Sequence, residues 1–76
     1  MIAWRRWESE TRYYAVSIDR DLLGDLVLVR YNGGKRSRLG AMRTTFLPSI
    51  EAGQREMARI ERRRRQRRYV EVTGPA

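Results

Sequence analysis

Six of the seven residues from Arg62 to Arg68 are arginine, and no other stretch of the chain makes so strong a chemical statement. A block of like charges repels itself and lowers stability unless a polyanion relieves it. Guanidinium forks grip phosphate oxygens two at a time, which the ammonium of lysine cannot do. Of the seventeen basic residues, only Lys35 is a lysine. The run therefore reads as a phosphate-binding surface carried by Arg62, Arg63, Arg65, Arg67 and Arg68. A second basic group, Lys35, Arg36 and Arg38, with Arg43 beyond it, would supply the other wall of a groove. Beside it stands Tyr31, which reads either as a packing residue or as a platform for a terminal base or ribose.

Other chemistries are disfavoured by the residue inventory. The sequence has no histidine and no cysteine, which removes the usual general base near neutral pH, thiolate metal sites and any disulfide framework. Gly33-Gly34-Lys35 suggests a phosphate loop, but Val29 and Arg36 stand where that motif needs Gly and Ser or Thr. Asp19, Asp21 and Asp25 lack the spacing of a calcium loop and read as turn formers. We therefore expect no catalytic residue, no metal and no cofactor.

The elements that must hold the arginines are bounded by length. With 76 residues there is room for one core, and chains of this size bury roughly 60% of the surface they expose unfolded. A single domain over residues 1–76, with a core from about 4 to 72 and a tail over 73–76, is expected. No apolar run reaches the roughly 18 residues of a membrane span, and the opening Met-Ile-Ala-Trp-Arg-Arg-Trp-Glu has no signal-peptide core. The expectation is a cytoplasmic protein with no membrane partner. Net charge is +8, and its distribution is uneven. Residues 1–29 carry four arginines against five acids, whereas residues 30–76 carry thirteen basic residues against four acids. That asymmetry is the footprint of a polyanion partner, DNA or RNA.

Periodicity supplies the elements. Ile2 to Trp7 reads as an edge strand. Tyr14, Val16 and Ile18 alternate with Tyr13, Ala15 and Ser17, which predicts a strand over Tyr13 to Asp19. Arg20 to Asp25 reads as a turn, with Leu22 and Leu23 capping one end of the core. Leu26 to Tyr31 suits a central antiparallel strand. Asn32-Gly33-Gly34 should end it, because Asn-Gly tolerates the positive φ of a tight hairpin. A long basic connection then leads to a strand over Ala41 to Phe46. Ser49 as N-cap and Glu51 in the first turn predict a helix to about Arg65. Its apolar stripe is Ile50, Gly53, Met57 and Ile60, flanked by Ala52 and Ala58. Gln54, Arg55, Glu56, Arg59 and Glu61 should face water. Tyr69, Val70 and Val72 suggest a last short strand or extended segment, and Thr73 to Ala76 a frayed end. Strands followed by one helix give an α+β domain, a small antiparallel sheet packed against a single helix.

The order of these features resembles the WGR domain. The resemblance lies in Tyr13-Tyr14-Ala-Val-Ser-Ile-Asp19, then Asp21-Leu-Leu-Gly-Asp-Leu-Val-Leu-Val-Arg30, then an aromatic with a Gly-rich basic loop. It continues through Phe46 and Ser49-Ile-Glu-Ala52 to Arg68-Tyr69-Val70, so that it spans nearly the whole chain. Tyr31-Asn32-Gly33 stands where that family carries Trp-Gly-Arg, and Arg68-Tyr69 where its helix commonly closes with Gly-Tyr. WGR domains occur in poly(ADP-ribose) polymerases, where they contact DNA at strand breaks, and as stand-alone bacterial proteins. The resemblance implies DNA binding, with Tyr31 against the nucleic-acid end and no catalytic residue. The rival expectation is a protein-interaction module, docking on an acidic partner or on itself through a sheet edge. Its sign would be an exposed apolar patch, for which Leu22, Leu23 and Leu39 are the sequence candidates.

Overall fold

A computed structural model describes residues 2–72. The elements in chain order are β1 (Ala3–Glu8), β2 (Arg12–Arg20), β3 (Leu26–Gly34), β4 (Gly40–Phe46), α1 (Ile50–Gln66) and β5 (Val70–Val72). The five strands form one sheet in the order β4-β3-β2-β1-β5, and every neighbouring pair is antiparallel. The protein is thus an α+β domain with one helix against an antiparallel sheet. The frayed end expected at Thr73 to Ala76 lies outside the described residues.

Alternation along the strands sorts the two faces. Trp7, Val16, Ile18 and Leu28 point toward α1 and make the core with Met57 and Ile60 of the helix. Val16 and Leu28 are fully buried, and Trp7 is 2% exposed. The helix begins as its sequence indicates, for the Ser49 side chain accepts a hydrogen bond from the Ala52 backbone N–H. Gly53 lets the helix lie close, because a Cβ there would come within 2.9 Å of Ile18 Cδ1 and Leu47 Cδ1. About 16 Å further along the axis at about 1.5 Å per residue, the Arg64 guanidinium lies 4.3 Å from the Tyr14 ring centroid. The helix therefore runs from the Ile18 end of β2 to its Tyr14 end, antiparallel to that strand.

The structure corrects several expectations. Asn32-Gly33-Gly34 does not break the strand, since β3 continues to Gly34 and Gly33 pairs with Gly40. The reason is packing rather than turn chemistry. A Cβ on Gly33 would meet Tyr13 Cε1 at 3.1 Å, and one on Gly40 would meet the Tyr13 hydroxyl at 2.9 Å. The two glycines make room for the Tyr13 side chain, and the reversal occupies Lys35 to Leu39 instead. Residues 2–7 are a free edge only in part, because β5 pairs with β1 at Arg6, Trp7 and Glu8, while Ala3 to Arg5 pair among the described residues with β2 alone. Leu22 and Leu23 cap nothing. They project into solvent from a turn closed by Asp21, whose carboxylate accepts from the N–H groups of Leu23 and Asp25, each at 2.9 Å. Gly24 takes φ +87° there, a conformation that suits glycine. Ile50, placed in the apolar stripe by its spacing, is 36% exposed. Glu56 and Glu61 do not simply face water but are half-buried in ion pairs with strand arginines.

Candidate nucleic-acid interface

The helix covers the middle of the sheet and leaves β4 exposed along its whole length. A trough results between α1 and β4, on the same face as the core. Arg30 and Tyr14 form its floor. Arg59 and Arg63 line its helix wall, where the hollow holds about 270 Å³. Arg43 and Asn32 line the strand side, where a further hollow of about 420 Å³ shares Tyr14 and Arg30 with the first. Among the described residues six arginines, Arg30, Arg43, Arg59, Arg62, Arg63 and Arg64, thus line a space containing one carboxylate, Glu56.

Glu56 does not neutralise that set. Its Oε1 accepts from Arg30 Nη2 at 2.8 Å and its Oε2 lies 3.5 Å from Arg59 Nη1. Arg43 stands directly across from Arg30 in the β3–β4 register. Like charges in that relation destabilise a sheet. Among the described residues the Arg30 Nε is buried without a hydrogen-bond partner, a further cost that the crowded guanidiniums carry.

The arginine run meets the trough at its far end. Because α1 ends over Tyr14, its C-terminus lies at the same end of the sheet as the Lys35 to Leu39 loop, where Arg12 pairs with Gly34 and the Lys35 N–H donates to the Thr11 carbonyl at 2.8 Å. Among the described residues Arg62, Arg63, Arg67 and Arg68 have no acidic partner, and all four are exposed. Arg36 and Arg38 lie exposed in the loop. The run and the loop thus lie at one end of the sheet, and Arg43 lies on the sheet face that carries the helix.

Three of the expected site residues have other surroundings. Lys35 reaches back to Glu8 at 3.0 Å, so its ammonium is shared with β1. Arg65 Nη2 lies 3.5 Å from Glu61 Oε2. Tyr31 sits three residues inside the strand, and alternation turns it to the opposite face from Arg30, where its ring centroid is 5.8 Å from that of Trp4. It is separated from the arginines by the thickness of the sheet. Within the run, Arg64 has a structural task, for its guanidinium lies 4.3 Å from Tyr14 and 4.9 Å from Tyr69, held between two rings.

Arg30, Arg59 and Tyr14 were not singled out from sequence. The signal was present for Arg30, which follows Leu28 by two and must therefore share its face. No local pattern marks Arg59, whose relevance depends on β3 passing beneath the helix. On the other side of the helix charges are paired. Arg5 bridges Glu61 of the helix at 2.6 Å and both oxygens of Glu71 in β5, and these bonds hold both carboxyls below the ordinary 4.5. Lys35, and after it Arg6, hold Glu8 low in the same way. Acids so depressed stay ionised at neutral pH and are poor proton donors.

Compared with known proteins, the chain matches no family model, no curated protein and no solved structure. Among the described residues no helix is long and apolar enough to cross a membrane.

Proposed function

We propose that the protein is a non-enzymatic, cytoplasmic module that binds nucleic acid, DNA first and RNA as the alternative polyanion, through the trough between α1 and β4 and the arginine end beside it. The observation that carries this reading is the Arg30 and Arg43 pair, facing each other across adjacent strands and walled by Arg59 and Arg63. Such a cluster is a cost to the free protein and an asset to a complex with phosphates. The exposed Arg36, Arg38, Arg62, Arg63, Arg67 and Arg68 extend it.

The resemblance to the WGR domain favours DNA, and ends or nicks within DNA, over other polyanions. Contacts of this kind are made to the backbone, so they orient a duplex and read little of its sequence. Tyr31 takes no part on the arginine side in this reading.

The test is anisotropy of labelled blunt duplex, nicked duplex, single-stranded DNA and RNA, each titrated with protein at several salt concentrations. Neutralising about six phosphates of a duplex gives a log-log salt slope of roughly −5. Tight binding with such a slope, stronger to ends or nicks, supports the proposal. Absence of binding to every probe at low salt overturns it and makes a protein partner the leading reading.

A further inference from the structure

Among the described residues the sheet face away from the helix has no second layer of secondary structure, yet part of it is dry. Trp4 lies opposite Ser17, and Tyr31 opposite Ala15. The Trp4 and Tyr31 rings pack against each other 5.8 Å apart, and Ala15 and Ser17 beneath them are each only 1% exposed. Toward β4 the cover stops. Met42 and Phe46, on this same face opposite Tyr31 and Val27, are 67% and 69% exposed. Leu39 at the loop end of β4 and Val70 at the far edge are exposed as well.

The charge on this face is as informative as its apolar surface. Alternation leaves it Arg6, Glu8 and Asp19, and the Lys35 ammonium joins them by reaching Glu8 at 3.0 Å, two cations against two acids. Arg6 Nε donates to Glu8 at 3.0 Å while its guanidinium lies 4.6 Å from the Tyr13 ring centroid. A chain of net charge +8 thus keeps one broad face almost neutral, and a polyanion has few cations to meet there. We infer that this face is the interface of a homodimer, in which two copies pack sheet to sheet about a two-fold axis centred near Met42, Phe46, Tyr31 and Trp4.

A second copy suits the surface better than other occupants for two reasons. It offers the same neutral, apolar patch, as an isologous contact requires, and it turns both arginine faces outward, where their mutual repulsion is least. The area suffices too. Five strands spaced about 4.8 Å apart, at about 3.4 Å per residue over roughly seven residues, give on the order of 550 Å² per copy and about 1,100 Å² over both. Specific interfaces begin at about 1,000 Å². The inference does not rest on the nucleic-acid reading, since self-association is measured on the protein alone.

Sedimentation equilibrium of nucleic-acid-free protein in high salt, over a wide concentration range, tests it. The expected result is a mass that rises from one chain to two. The Met42→Glu/Phe46→Glu double variant, altered only at exposed positions and checked for folding by circular dichroism, should associate on the order of a hundredfold more weakly. The Met42→Leu/Phe46→Leu variant should associate like the parent. A parent that stays monomeric at every concentration overturns the inference. So does a double variant that dimerises undiminished, which would assign the contact to the free edge of β4. A monomeric parent whose nucleic-acid binding is lost in the single Phe46→Glu variant, which leaves the trough lining unchanged while Met42 borders it, would give the face to nucleic acid instead.

Discussion

Arg68 occupies the position just past the end of α1 with φ 64°, where side chains other than glycine are strained. The hydrogen bonds around it are those of a Schellman cap, with the Tyr69 N–H donating to the Arg64 carbonyl at 2.9 Å and the Arg68 N–H to the Arg65 carbonyl at 3.0 Å. In place of the apolar contact that often accompanies this cap, Arg64 lies against the Tyr69 ring. The proposed phosphate surface would give the Arg68 charge a use that offsets this strain. Replacing it should separate the two effects. Arg68→Gly is expected to raise stability by about 1 kcal/mol in urea unfolding, while the nucleic-acid salt slope becomes shallower by about one. Arg43→Gln makes a parallel case, because it removes a like-charge neighbour from Arg30. Stability should rise by about 0.2 to 1 kcal/mol as affinity for duplex falls, and a variant that lost both would show that Arg43 has a structural role. At this scale the sequence announced arginines by number but not by company. The Arg62 to Arg68 run could be read directly, yet Arg64 differs from its neighbours only through two tyrosines brought beneath it by folding.

The elements were largely legible. The helix was marked at its start by Ser49 and along its length by Gly53, Met57 and Ile60, and those three residues are the ones it buries. β2 showed in the alternation of Tyr14, Val16 and Ile18. What misled was the assumption that consecutive glycines mark a turn. Gly33 and Gly40 face one another as the last pair of the β3–β4 ladder because the Tyr13 side chain lies against both, and no scan along the chain reveals that a residue twenty or more positions earlier claims the space. The distinction is open to measurement. Gly40→Ala, whose new methyl group would meet the Tyr13 hydroxyl at 2.9 Å and the Asn32 carbonyl at 3.1 Å, should lower stability by about 1 to 3 kcal/mol. Gly34→Ala, with nothing nearer than 3.5 Å, should stay within about 0.5 kcal/mol of the parent. Equal costs at both positions would return the glycines to a turn role.

For the molecule as a whole, the sheet separates two kinds of surface, basic and open on the helix side, neutral and apolar behind. The fold is tied across its strands by carboxylates whose values are lowered, Glu61 and Glu71 by Arg5 and Glu8 by Lys35 and Arg6. A carboxyl lowered in the folded state contributes its full stabilisation above the ordinary value of 4.5, and loses it as pH falls through the lowered value. Stability measured by thermal unfolding should therefore be level through the neutral range and decline on acidification below about pH 4.5. With no histidine in the sequence, duplex affinity should change little from about pH 6 to 9, and a marked change there would implicate a shifted group outside these pairs. The division between surfaces has an optical consequence as well. The two tryptophans are three residues apart on β1, so they point to opposite sides, Trp7 into the core at 2% exposure and Trp4 onto the rear face beside Tyr31. Each can be silenced by a Trp→Phe change. The emission of Trp7 alone would then follow unfolding, and that of Trp4 alone would follow whatever comes to rest on the back of the sheet, so that one short strand carries a separate lamp for each side of the protein.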